Sequence, residues 1–151
     1  MTHRVTIAID AMGGENSPNK IFEAIKISLK KNKNNYFHLF GKENLLKDQM
    51  KKYSEISDYC KIINCEDAIE DEESPLTAAK KGKNTSMWKS IESQKNGEAD
   101  ISLSAGNTGA LLIVSRLILN CIEGINKPAL AGLWPNRNNM SIVLDLGANI
   151  E

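Results

Sequence analysis

The sequence predicts an α/β chain, a three-layer α/β/α sandwich around a largely parallel sheet. Two observations carry that expectation. Short β-branched or aromatic runs alternate with stretches whose apolar residues recur at helical spacing. Three of those runs also deliver small, polar residues at their C-terminal ends, where open α/β sheets place their ligands. A length of 151 residues suffices for one domain with a hydrophobic core.

Val5 to Ile9 is nearly continuously apolar, as a strand covered on both faces should be, and it runs into the small-residue turn Asp10-Ala11-Met12-Gly13-Gly14. Ser17 then reads as an N-cap with Pro18 at the first helical position. Ile21, Phe22, Ile25, Ser28 and Leu29 follow on one helical face, and Lys26, Lys30 and Lys31 sit towards the end that favours cations. Tyr36 to Phe40 is a second strand, closed by Gly41. A helix over 43–53 presents Leu45, Leu46 and Met50, and Lys61 to Cys65 is a third strand. Ser74-Pro75 repeats the cap-then-proline start. Gly82 and Asn84 break that helix, and a second one runs from about Ser86 to Lys95 before Asn96-Gly97. Ala99 to Ser104 is a fourth strand, followed by a helix over 108–122. Ala129 to Trp134 and Ser141 to Leu146 are further strands, and the polar turn at 135–139 suits an antiparallel pairing.

Composition narrows the function classes. Nineteen basic residues balance nineteen acidic ones, without the basic excess of a nucleic-acid protein. Lysines dominate from Lys20 to Lys52. Glu66, Asp67, Glu70, Asp71, Glu72 and Glu73 form an acidic run, and such runs are more often solvated faces than partner sites. Cys60, Cys65 and Cys121 are odd in number and lack CxxC spacing. With His3 and His38 the only histidines, neither a zinc site nor a Cys-His nucleophile is indicated, and no cofactor is expected. The N-terminus lacks a secretory pattern and no apolar run approaches the roughly 20 residues of a membrane span. A reduced, soluble, cytoplasmic protein is the expectation.

The three candidate loops are 9–14, 102–109 and 144–149. Glycines let backbone amides approach an anion, and a helix N-terminus adds partial positive charge. The middle loop fits best: Gly106, Thr108 and Gly109 precede an apolar helix, and Ser104, Asn107 and Thr108 offer uncharged donors. Taken singly, each loop reads equally well as a tight connection. Asp10 and Asp145 are candidates to orient donors or bind a metal, with capping of their own turns the plainer alternative. Met12 and Trp88 suit either an acyl channel or the core. No GxGxxG, P-loop or GxSxG motif occurs, so covalent catalysis is not indicated.

Ile-Asp-Ala-Met-Gly-Gly (9–14) with Pro18, Ser-Ala-Gly-Asn-Thr-Gly-Ala-Leu (104–111), Lys-Pro-Ala-Leu-Ala (127–131) and Asp-Leu-Gly-Ala-Asn (145–149) occur in order. Together they resemble the PlsX family of acyl-acyl-carrier-protein:phosphate acyltransferases. Lys83-Asn84-Thr85-Ser86-Met87 looks like that family's basic loop. Glu15, Thr85, Lys127 and Asn136 depart from its usual residues. The resemblance covers the whole chain but under half of a family member, so 1–151 is expected to be the N-terminal part of one acyltransferase domain, incomplete at its C-terminus. It implies a fold like that of isopropylmalate dehydrogenase and phosphate acetyltransferase. It also implies transfer of a fatty acyl group from acyl-carrier protein to inorganic phosphate, giving acyl phosphate for phospholipid synthesis. A homodimer, peripheral membrane association through the remaining part, and a downstream membrane glycerol-3-phosphate acyltransferase come with it.

On this reading phosphate is the nucleophile, so the protein has only to position it and stabilise an oxyanion. Ser104, Gly106, Asn107, Thr108 and Gly109 are the expected donors, with Asn107 and Ser104 first among them. Asp10, Gly13, Gly14 and Asn149 are expected to frame the same pocket. Lys80, Lys81 and Lys83 are candidates for carrier-protein contact, against ordinary solvated lysines. Rival readings are a phosphate acetyltransferase-like or dehydrogenase-like enzyme of the same fold group, or a non-catalytic truncated remnant or binding module. The 151-residue piece alone is expected to be inactive, to expose apolar faces, and to oligomerise or pair with a second chain.

Overall fold

The computed structural model describes residues 4–147. Strands β1 (Val5–Asp10), β2 (Asn35–Gly41), β3 (Cys60–Asn64) and β4 (Ile101–Ser104) form a parallel sheet in the order β3-β2-β1-β4. The chain steps outward from β1 to β3, then returns to lay β4 on the other side of β1. Right-handed crossovers send connections of opposite direction to opposite faces. Helices α1 (Asn19–Lys31) and α2 (Glu43–Lys52) accordingly share one face, while α3 (Pro75–Lys81) and α4 (Ser86–Lys95) carry the return. Helix α5 (Thr108–Ile118) follows β4 and packs on α3 and α4.

Side-chain alternation along the strands divides the core. Ile9, Phe37 and Leu39 point to the α1–α2 side, where Ile21, Phe22, Ile25, Leu29, Leu46 and Ile56 meet them. Ala8 and Phe40, one position out of phase, pack on the other face with Cys65 and Ala99. Small Ala8 there leaves room for α4 to cross β1, β2 and β4. A third cluster joins the helices outside the sheet: Ala78, Met87, Ile91, Ala110, Val114 and Ile118.

The helix starts mostly follow their caps. Ser74 Oγ accepts from the Thr77 amide at 3.2 Å with Pro75 at the first position, and Thr85 Oγ1 accepts from the Trp88 amide at 3.3 Å. The expected Ser17 cap is different. Ser17 Oγ donates to the Gly13 carbonyl at 2.6 Å and is spent there, so Pro18 becomes the N-cap, its carbonyl accepting from Ile21 and Phe22. The helix expected to reach Ile122 ends at Ile118. Its buried residues Ala110, Val114 and Ile118 recur every fourth position, and beyond them Ile122, which would continue the series, is 82% exposed. Strands β5 (Ala131–Pro135) and β6 (Met140–Leu144) form an antiparallel hairpin, its turn held by Asn136 Oδ1 accepting from the Asn138 and Asn139 amides. That hairpin is a separate two-stranded sheet. Leu133 and Ile142 on it, and Ile101 and Leu103 on β4, are exposed. No helix among the described residues is long and apolar enough to cross a membrane.

Phe22 is fully enclosed between α1 and the sheet, whereas Ile27 on the same helix faces water. Phe22→Ala should cost about 3–5 kcal/mol of unfolding free energy in urea denaturation. Ile27→Ala should cost less than about 1 kcal/mol; similar losses from both would contradict this packing.

Candidate functional site

Strand order reverses at β1, whose two neighbours are reached by connections on opposite faces. At that switch point the loops leaving β1 and β4 meet beyond the carboxyl ends of the strands, and a crevice opens over their contact. Asp10, the last residue of β1, stands at its base and is only 2% exposed. Its Oδ1 accepts from Ser86 Oγ at 2.6 Å and from the Met12 amide at 3.3 Å, and its Oδ2 accepts from Ser104 Oγ at 2.8 Å. Burial raises the Asp10 carboxyl above the ordinary carboxylate range, opposed by the hydrogen bonds from Ser86, Ser104 and the Met12 and Gly13 amides.

Above this carboxylate the two loops touch through their glycines. A β-carbon on Gly13 would lie 2.7 Å from Asp10 Oδ2 and 2.9 Å from Ser104 Oγ. One on Gly106 would lie 3.0 Å from Gly13 Cα. The contact therefore admits no side chain on either loop.

The crevice over this contact is an open cleft of about 640 Å³, lined by Gly14, Glu15, Lys20, Asp71, Ala105, Gly106, Asn107, Thr108 and Gly109. That is the size of a small-molecule site. The N-terminus of α5 opens into it. Thr108 and Gly109, its first two residues, have amides with no intrahelical acceptor, and the helix dipole adds positive potential there.

Asp10, Gly13, Gly14, Ser104, Gly106, Asn107, Thr108 and Gly109 come together here, not all in the expected posture, whereas the third candidate loop follows β6, which lies in the separate two-stranded sheet. Ser104 donates to Asp10 and accepts from the Gly106 amide at 3.2 Å. Asn107 is the N-cap of α5: its Oδ1 accepts from the Ala110 amide at 2.9 Å. Its Nδ2 donates to the carbonyls of Asp71, at 2.9 Å, and Glu73, at 2.8 Å. Asn107 therefore ties the acidic loop to the helix start, forming one wall of the cleft. Gly109 lies against the Pro75 ring at the α3–α5 contact. Met12 packs over Gly41, and Trp88 packs on the α3–α4–α5 cluster. Lys81 is spent on Glu73 and on the Ala68 carbonyl, while Lys80 and Lys83 are exposed; none of the three lines the cleft. Asn149 lies outside the described residues.

Two participants were not singled out as site residues from the sequence alone. Ser86, the first residue of α4, follows the Thr85 cap, and a serine just after a cap is an easy residue to overlook. Lys20 was one of many lysines, although its place in the first turn of α1 after the glycine loop put it next to Gly14. Burial also raises the Cys60 thiol to about 12 and the Cys65 thiol to about 11, so neither is a thiolate at neutral pH. Among the described residues, no group of three or more His, Cys, Asp or Glu is placed to hold a metal ion.

A family profile described as "Fatty acid synthesis protein" matches residues 5–151. The chain belongs to this family. Three relatives named phosphate acyltransferase illustrate the likeness. The one from Pelagibacter ubique (strain HTCC1062) is 50% identical over 151 residues, which is 100% of this chain and 45% of the relative. That from Rhodopseudomonas palustris (strain BisA53) is 38% identical across 99% of this chain and 43% of its own length. That from Paramagnetospirillum magneticum (strain AMB-1) is 35% identical across 100% and 43%. The chain spans less than half the length of these relatives.

A folded value above the unfolded one means the Asp10 contribution is fully present below the unfolded value and is lost as pH rises through the raised one. Urea denaturation of wild type and Asp10→Asn, run from about pH 4 to neutrality, should therefore show the balance of stability moving towards the variant as pH rises. A flat or opposite dependence would contradict the burial of this carboxylate.

Proposed function

We propose that this chain supplies the phosphate-positioning part of an enzyme that transfers a fatty acyl group from acyl-carrier protein to inorganic phosphate, giving acyl phosphate for phospholipid synthesis. The observation that carries the reading is the cleft at the β1–β4 switch point, floored by glycines and closed by the open amides of α5. The shared name of the relatives supports the same chemistry.

In the reaction a phosphate oxygen attacks the thioester carbonyl, a C–O bond forms and the C–S bond breaks. The phosphate proton ends on the departing pantetheine sulfur. The enzyme has to hold phosphate against the carbonyl and offer fixed donors to the developing oxyanion. Thr108 and Gly109 amides are the natural donors. Gly13, Gly14 and Gly106 frame the pocket. Asp10, Ser104 and Asn107 act as positioning residues, since their polar atoms hold the loops together. The carrier protein, an acidic partner, meets the basic surface at Lys80 and Lys83, Lys81 being held by Glu73. We place the protein in the cytoplasm, as a homodimer associated peripherally with membrane, feeding a membrane glycerol-3-phosphate acyltransferase.

Hydroxylamine trapping of acyl phosphate tests the reaction. It is run with long-chain acyl-carrier protein and phosphate, on this chain alone and together with a polypeptide supplying the remaining length of a relative. Product in either arm supports the reading, and none in both overturns it. In the active preparation Asn107→Ala should raise the phosphate KM or lower kcat by about tenfold. Unchanged kcat and phosphate KM would remove Asn107 from the site.

A further inference from the structure

The cleft contains one group that the proposed reading does not use. Lys20, in the first turn of α1, turns its ammonium back over the β1 loop. Where a β-carbon on Gly14 would stand, the Lys20 Nζ and the Ala105 carbonyl oxygen are already in overlap distance. Gly14 has φ +79°, a left-handed conformation that glycine adopts at no steric cost. Its bare Cα thus does two things: it lets the loop turn, and it leaves the space that the ammonium fills.

Lys20 is the only cationic side chain lining the cleft among the described residues, and it takes part in no ion pair among them. The other charged walls are Glu15 and Asp71. Without Lys20 the side chains facing the cleft would carry negative charge alone. Two carboxylates repel a phosphate dianion, and the α5 amides contribute only partial charges against them.

We propose that Lys20 is the cationic anchor of the phosphate in this cleft, a binding residue set by the glycine at position 14. The inference rests on the phosphate-site reading and gives that site its charge selectivity. Lys20 pairs with the phosphate oxygens while Glu15 and Asp71 discourage anions that cannot reach it. The ligand is free inorganic phosphate rather than the phosphodiester of the carrier's pantetheine arm, which carries less charge.

The test is isothermal calorimetry of the full 151-residue chain with inorganic phosphate at low salt, and in parallel with holo-acyl-carrier protein. Lys20→Met should weaken phosphate binding about tenfold, the loss of one charge-assisted contact in an open cleft, and Lys20→Arg should restore most of it. Binding of the carrier protein should be unchanged by either substitution. Circular dichroism of each variant checks that the fold persists. Wild-type and Lys20→Met chains binding phosphate equally would overturn the anchor while leaving the phosphate site standing. A loss confined to the carrier protein would also overturn it. A wild-type chain that binds no phosphate would overturn both the anchor and the site.

Discussion

One buried carboxylate organises the site. Asp10 gathers the hydroxyls of Ser86 and Ser104, which lie 76 and 94 residues away in the chain. In doing so it joins the end of β1 to the start of α4 and the end of β4. An acid this enclosed is costly unless its oxygens are satisfied, and the donors directed at it offset part of that cost. The arrangement is directional: moving either loop leaves a buried oxygen without its partner. Steric exclusion reinforces it, because Gly13 and Gly106 touch where no β-carbon fits. The floor of the cleft is therefore fixed before any ligand arrives, the condition under which donors stabilise charge without reorganising.

The same topology explains why the cleft is where it is. Reversal of strand order at β1 sends α1 to one face and α4 to the other, and the cleft opens over the contact between the β1 and β4 loops. Helix α5 then starts at the rim, capped by Asn107. That one side chain also holds the Asp71 and Glu73 carbonyls, so the acidic run becomes a wall rather than a free surface loop. The chemistry drawn from this arrangement needs no protein nucleophile, and it is compatible with thiols at Cys60 and Cys65 that burial keeps protonated.

Much of this was legible in the residues. Apolar runs and cap-then-proline signals located the four parallel strands and most helix starts, because strand burial and capping are local and leave local traces. The convergence of loops 9–14 and 102–109 was also legible, since strands of one parallel sheet deliver their C-terminal loops to one edge. Hydrogen-bond assignment was not. Whether Ser17 caps its helix or bonds Gly13, and whether Asn107 points to a ligand or to Asp71, depends on partners brought close by tertiary folding. The end of α5 is hidden for a related reason: the apolar residues up to Ile122 continue the pattern, but packing on the α3–α4–α5 cluster reaches only Leu119, and Ile122 is exposed. Lys20 was hidden by composition, one lysine among many until Gly14 gave its ammonium a place.

On the proposed function, the β1–β4 switch point, held by Asp10, binds phosphate through the glycine loop and the start of α5. Phosphate titration of the 15N-labelled chain, followed amide by amide in NMR, tests it most directly. Saturable shifts are expected at Gly13, Gly14, Thr108 and Gly109, with the amides of α2 and the β5–β6 hairpin unmoved. Shifts scattered over the exposed lysines, or none at these four amides while phosphate binds elsewhere, would contradict it.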